Sequence, residues 1–129
     1  MADGHHAYAY CVWRVVPDVV RGERLNAGVV LFARTARFLG ARVELDRVRL
    51  QALAPGLHPE PVAEQLDWLV RVAAGDPSGG PMAAQPPSER FGWLCAPGST
   101  VLQPGAIHTG LCGADPAGEL DRLFARLVA

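Results

Sequence analysis

The sequence predicts an α+β fold, in which an antiparallel sheet made of a three-strand meander and two later strands carries helices on one face. Three observations predict this class. The first 45 residues contain three stretches rich in aromatic and β-branched residues, separated by short connections. Two later segments have the 3.6-residue apolar periodicity of amphipathic helices. The 129 residues are 50% hydrophobic and 19% charged, which is typical of one ordinary globular domain.

The N-terminal part is predicted to be a meander. Its strands are residues 7–16, 24–34 and 37–45. The polar segment Pro17 to Glu23 connects the first two strands, and a short turn at Thr35 and Ala36 connects the second to the third. Short connections place consecutive strands antiparallel. Residues 1–6, with His5 and His6, are expected to be a disordered terminus preceding a single domain over residues 7–129.

Two helices are predicted after the meander. Asp46 can cap a short helix that reaches about Leu53, where Pro55 and Gly56 follow. A longer helix is predicted from Glu60 to Ala74, with Gly75 at its C-terminal cap. Its apolar stripe consists of Val62, Leu66, Leu69, Val70 and Ala73.

The last third combines a loop, two strands and a helix. Residues 76–88 hold four prolines and two glycines, which predicts a long surface loop. Residues 91–96 and 100–103 are predicted strands around a turn at Pro97 and Gly98. The final helix begins after its cap, Asp115, with Pro116 in the first turn. Its buried stripe is predicted to be Leu120, Leu123, Phe124 and Leu127.

The charge balance excludes several functions. All 12 basic residues are Arg, and the absence of Lys excludes a Schiff-base lysine and a P-loop lysine. Codon bias in a GC-rich genome accounts for the Arg content. The net charge of −1 argues against a nucleic-acid partner, which would need a strongly basic surface. No apolar run approaches the roughly 20 residues that cross a bilayer, and no signal peptide is visible, so we expect a cytoplasmic protein without membrane association.

The cysteines predict neither a metal site nor a disulfide framework. Cys11, Cys95 and Cys112 are an odd set without Cys-x-x-Cys spacing, and we expect reduced, mostly buried thiols. No combination of these cysteines with the four histidines has metal-ligand spacing. We therefore expect no metal and no cofactor.

Most of the candidate site residues come from residues 88–112, where hydroxyl, imidazole and guanidinium groups are concentrated. Others come from the first two strands, because Arg14 interrupts an apolar run and strict alternation places Asn26 and Gly28 on one face of the second strand. The candidate ligand-binding residues are Arg14, Asn26, Gly28, Arg90, Ser99, Thr100, His108 and Thr109.

Each candidate has a structural alternative. His108 is either a general base or a partner for a loop carbonyl. Ser99 and Thr100 either bind an anion or stabilise a turn. Arg90 either clamps a phosphate or carboxylate or forms an ion pair that ties down the long loop. A nucleophilic Cys95 or Cys112 paired with His108 is set against the ordinary interpretation of a buried core thiol.

Several segments together resemble one family, domain of unknown function 3037, over about residues 8–128. They are Arg-Val-Val-Pro-Asp at 14–18, residues 21–32, Arg-Phe-Leu-Gly-Ala-Arg at 37–42, Ser-Glu-Arg-Phe at 88–91, Ser99-Thr100 and His-Thr-Gly-Leu at 108–111. The resemblance implies a standalone, cytoplasmic, bacterial domain of an actinobacterial type. Members of the family are in some cases encoded beside a serine/threonine kinase-like protein of the HipA type, which implies an accessory role.

Two functional hypotheses follow. The first, which we favour, is a non-catalytic binding or accessory protein that recognises a protein partner through its sheet edge or an Arg-bearing surface; association into a homodimer is a further form of this hypothesis. The second is a small hydrolase or transferase acting on a phosphorylated or nucleotide-like substrate. Arg90 would hold the anion, Ser99 or Thr100 would position it, and His108 would move the proton. This enzyme requires Arg90, Asn26, Ser99 and His108 to converge on one cleft.

Overall fold

A computed structural model describes residues 4–96 and 101–129. The strands are β1 (His6–Val15), β2 (Leu25–Ala33), β3 (Phe38–Val43), β4 (Leu102–Pro104) and β5 (His108–Cys112). The helices are α1 (Arg47–Leu53), α2 (Pro59–Ala74), α3 (Pro87–Leu94) and α4 (Pro116–Leu127). Short 3-10 turns cover Arg34–Ala36, Pro77–Gly79 and Pro81–Ala84. No helix in this part of the chain is both long enough and apolar enough to cross a membrane.

The five strands form one antiparallel sheet with β1 at its centre. The order is β3-β2-β1-β4, and β5 also pairs with β1. β4 pairs with residues 13–15 of β1 and β5 with residues 6–10, so the two short strands follow each other along one edge of β1. The other edge of β1 pairs with β2. The α+β class, the antiparallel sheet and the meander are confirmed.

The helices lie on both faces of the sheet, which corrects the expectation that they share one. Helices α1, α2 and α3 pack on the face that carries Cys11, Trp13 and Val15. Helix α4 packs on the opposite face, against Tyr8 and Val12. The central strands are apolar on both sides, since the consecutive residues Val29 and Val30 of β2 are both fully buried. A sheet of this kind needs cover on each face.

A β-bulge in β2 corrects the predicted faces. Trp13 pairs with Gly28 and Arg14 with Asn26, so Ala27 is an extra residue in β2. The bulge moves Asn26 to the α4 face, where its Nδ2 donates to the carbonyl oxygen of Leu127 at 3.0 Å. Gly28 stays on the other face, against the ring of Trp13. The prediction that Asn26 and Gly28 share a face is therefore wrong.

The prediction of a strand over residues 91–96 is also wrong, because Pro87–Leu94 forms helix α3. Phe91 and Leu94 are three residues apart and both buried, as on one face of a helix, and Pro87 occupies the first turn. The indole nitrogen of Trp13 donates to the carbonyl oxygen of Leu94 at 2.9 Å and satisfies one carbonyl at the helix end.

The loop predicted over residues 76–88 is more ordered than expected. It holds two 3-10 turns and the start of α3, and Gly79 and Ala83 are buried. At the other end of the chain, His6 begins β1 and pairs with Cys112, so the expected disorder of residues 1–6 does not extend to His6. Residues 1–3 lie outside the described part.

The later strands differ from the prediction. β4 begins at Leu102, and the expected turn at Pro97 and Gly98 lies outside the described residues. β5 was not expected as a strand.

The predicted helix caps are confirmed. The side chain of Asp46 accepts from the backbone N–H of Arg49, and that of Asp115 accepts from Gly118. Gly75 ends α2 in the left-handed conformation. In the stripe of α2, Val72 is buried where Val70 was expected. In α4, Leu120, Leu123 and Phe124 are buried as predicted, and Leu127 is half-buried.

Two of the cysteines are paired, which corrects the expectation of reduced thiols. Cys11 of β1 and Cys95 after α3 form a disulfide that joins residues 84 positions apart, with a Cα–Cα distance of 6.3 Å. Both lie in the core between the sheet and α3. Cys112 is a free, buried cysteine on the opposite face. The packing of α3 against β1, rather than sequence spacing, brings the pair together.

Candidate functional site

Arg90 joins two helices in this structure. Its Nη1 donates to the carbonyl oxygen of Gln85 at 2.7 Å, and its Nη2 donates to that of Ala73 at 3.4 Å. The Nε is buried and has no hydrogen-bond partner among the described residues. Ala73 is at the end of α2, and Gln85 lies in the connection to α3. Within residues 4–96 and 101–129, Arg90 therefore ties the connection down through backbone carbonyls rather than through an ion pair.

The candidates from β1 and β2 also contact the protein itself. The guanidinium of Arg14 lies against Gly105, where a Cβ atom would come within 2.8 Å of its Cζ. Asn26 caps the carbonyl of Leu127, and Gly28 makes room for Trp13 and Val43. These contacts explain the residue types by packing and capping.

His108 and Thr109 lie on β5. The ring of His108 is exposed and stacks near Tyr10, with centroids 5.3 Å apart. Thr109 pairs with Ala9 in β1 and is exposed. Ser99 and Thr100 lie outside the described residues.

The convergence required by the enzyme hypothesis does not occur among the described candidates. Arg90 belongs to α3, which packs on the face of Trp13. His108 stacks with Tyr10, which packs into the cluster of the opposite face. The sheet separates the two side chains. Cys95 is in the disulfide and does not provide a thiol for His108.

A network that sequence reasoning missed joins β1 to α4. The hydroxyl of Tyr8 donates to Glu119 Oε2 at 2.7 Å, and Arg122 binds the same carboxylate. Burial, followed by the hydrogen bond to Glu119, raises the pKa of Tyr8 to about 12. The guanidinium of Arg122 lowers the pKa of Glu119, and the Tyr8 hydrogen bond adds to this. The neutral phenol of Tyr8 beside the ionised carboxylate of Glu119 fastens α4 to the sheet. No sequence motif or spacing predicted that these two residues would meet.

The outer side of β5 is a free edge of the sheet flanked by exposed apolar side chains. In the described chain β5 pairs with β1 alone, so its other edge has no strand partner. Leu111 is 74% exposed and Ile107 is 51% exposed, and neither belongs to a core cluster. Leu111 pairs with Ala7, which is also exposed. We call Ala7, Ile107, Thr109 and Leu111, together with the free edge of β5, the β5 surface.

The β5 surface departs from the way proteins protect sheet edges. Edge strands are ordinarily guarded by charged residues, proline or a covering element, because their free N–H and C=O groups can pair with another chain. β5 carries no Asp, Glu, Lys or Arg. No strand was predicted over residues 108–112. His108 and Thr109 were predicted site residues, but the exposed Ile107 and Leu111 were not.

Metal binding finds no support in the described residues, where no group of three or more His, Cys, Asp and Glu side chains could hold an ion. In this part of the chain the fold and the candidate residues define a small α+β domain with an exposed sheet edge and no assembled acid, base and nucleophile.

The comparison with family models assigns this α+β domain to a family. The model described as "Protein of unknown function (DUF3037)" matches residues 10–128, and the chain belongs to this family. No curated protein and no solved structure matches the chain.

Proposed function

We propose that this protein is a non-catalytic binding protein that acts with a protein partner, which adds a strand to the free edge of β5. The observation that carries the proposal is the combination of an unpaired strand edge with two exposed large apolar side chains, Ile107 and Leu111. In strand addition, main-chain hydrogen bonds provide affinity and alternate side chains provide specificity. The partner would present an extended segment with apolar residues toward Leu111.

A kinase-like protein of the HipA type is the first partner to test, because the family resemblance implies it. A second copy of this chain, paired edge to edge through β5, is the competing occupant. The enzyme alternative, a hydrolase or transferase using Arg90, Ser99 or Thr100, and His108, has less support because Arg90 and His108 lie on opposite faces of the sheet.

The proposal includes a bacterial, cytoplasmic protein of an actinobacterial type. The Arg-only basic composition and the resemblance support this assignment.

The test compares the tagged wild type with two variants. Each is purified under mild conditions from the organism that produces the protein, and the mass of its complexes is measured by native mass spectrometry. Leu111→Asp places a charge on the β5 surface. Val20→Asp is the matched control, since Val20 is 95% exposed in the connection after β1, at the end of that strand remote from β5. We expect a stoichiometric partner on the wild type and on Val20→Asp that is lost from Leu111→Asp.

Other results would contradict or redirect the proposal. A partner that remains on Leu111→Asp would place the interface elsewhere, and a wild type that carries no partner would refute the proposal. A complex of twice the chain mass, lost only in Leu111→Asp, would make the partner a second copy and exclude the kinase-like protein from this edge.

A further inference from the structure

A second surface, remote from β5, has the composition of an anion site. A cleft of about 580 Å³ opens at the C-terminal end of α4 and the start of β2. Three arginines line it from different parts of the chain: Arg24 precedes β2, Arg49 lies on α1, and Arg126 is in the last turn of α4. We call this the arginine cleft. Folding, rather than sequence proximity, gathers the three guanidinium groups.

The arginine cleft has no acidic side chain in its wall. Its other lining residues are Leu25, Asn26, Leu53, Leu127, Val128 and Ala129. In the part of the chain that the structure describes, the side chains of Arg24, Arg49 and Arg126 form no ion pair and no hydrogen bond. Arginines elsewhere do pair with carboxylates, as Arg21 does with Glu23 and Arg42 with Asp121.

This arrangement has an electrostatic consequence. Three like charges around one cleft repel each other, and attraction to a bound anion would offset that repulsion. The partial negative charge at the end of α4 favours a cation there and accounts for Arg126. It does not account for Arg24 and Arg49, which belong to other elements. All three side chains are exposed, so the charges stay hydrated and available to a ligand.

The residue types also define the ligand. Guanidinium groups match phosphate and carboxylate oxygens in paired hydrogen bonds, and several of them favour a ligand with several anionic groups. The side chains of Leu53 and Leu127 provide an apolar part of the wall. We propose that the arginine cleft binds a small molecule that carries two or more phosphate or carboxylate groups. This site is separate from the proposed partner surface and does not depend on it.

The experiment measures binding by isothermal titration calorimetry at low ionic strength, with the affinity tag at the N-terminus because Ala129 lines the cleft. Inorganic pyrophosphate and citrate are the two probes, and they distinguish phosphate from carboxylate recognition. The test variant is Arg24→Gln/Arg49→Gln. The control is Arg34→Gln/Arg37→Gln, which removes the same charge from the exposed turn at the opposite end of β2.

We expect at least one probe to bind the wild type and the control, and the affinity to fall about tenfold or more in Arg24→Gln/Arg49→Gln. Leu111→Asp should bind the probe as the wild type does, which separates this site from the β5 surface. Equal losses of affinity in the two double variants would mean that binding of the probe depends on the net charge of the protein and not on the arginine cleft. That result, or the absence of binding by either probe to the wild type, would overturn the proposal.

Discussion

Gly28 is a position at which the sheet and its own core come very close. A Cβ atom built there would lie 2.8 Å from Cε3 of Trp13 and 2.8 Å from Cγ1 of Val43. The sequence indicated close approach at this glycine and left open whether a ligand or the protein itself would fill the space. The structure fills it with Trp13, so the glycine is explained by packing. Asn26, two residues earlier, is likewise explained by its bond to Leu127.

Replacing Gly28 with Ala should lower the free energy of unfolding by about 1–3 kcal/mol, because Trp13 and Val43 must shift to admit a methyl group. Gly92→Ala is the control. Gly92 is exposed on α3, with nothing within 4 Å of a built Cβ, and the change should stabilise the helix by about 0.5–1 kcal/mol. Urea unfolding followed by Trp fluorescence measures both. If Gly28→Ala were as stable as the wild type, or if the two substitutions changed the free energy of unfolding equally, close packing at Gly28 would be contradicted.

At the scale of elements, helices α2 and α3 are held together by side chains that reach backbone carbonyls. Arg90 joins the end of α2 to the segment before α3. The indole nitrogen of Trp68 on α2 donates to Gly79 at 3.0 Å, and the ring meets Trp93 of α3 edge to face. The prolines of residues 76–88 predicted an irregular surface loop, whereas these contacts organise the segment into turns. Such contacts are not local in sequence, and periodicity alone does not reveal them.

Removing the guanidinium in Arg90→Met should lower the free energy of unfolding by about 1–2 kcal/mol, because two carbonyl oxygens lose a charged donor. Arg126→Met, which removes an exposed arginine that forms no ion pair with any described residue, should change it by no more than about 0.5 kcal/mol. Chemical denaturation gives both values. If Arg90→Met were as stable as the wild type, Arg90 would have no structural role and its interpretation as an anion clamp would regain support.

Across the whole molecule, one sheet supports two apolar cores. The helices α1 to α3 close one core and α4 closes the other, and the two short strands β4 and β5 complete one edge. The Cys11–Cys95 disulfide lies in the first core and joins β1 to the end of α3. A bond between residues so far apart in sequence restricts the unfolded chain, and the chain-entropy account assigns larger stabilisation to longer loops.

Removing that bond should destabilise the whole domain. We expect Cys11→Ala/Cys95→Ala to have a free energy of unfolding about 2–4 kcal/mol below that of the oxidised wild type. Dithiothreitol should lower the stability of the wild type and leave that of the double variant unchanged. Cys112 remains in the variant and controls for general effects on thiols. A wild type that is insensitive to the reductant would argue that Cys11 and Cys95 are not bonded in solution.

The sequence by itself determined the elements that depend on local signals: the meander, the caps at Asp46 and Asp115, and the long helix ended by Gly75. These signals act within a few residues, so one chain suffices to show them. Only the tertiary structure decided that residues 87–94 are helical, that Ala27 forms a bulge and that α4 lies opposite the other helices. These features depend on contacts between residues far apart in sequence. Trp13, for example, donates to the carbonyl oxygen of Leu94 and packs against Gly28. The β5 surface and the arginine cleft have the same origin, because each is assembled from segments that only folding brings together.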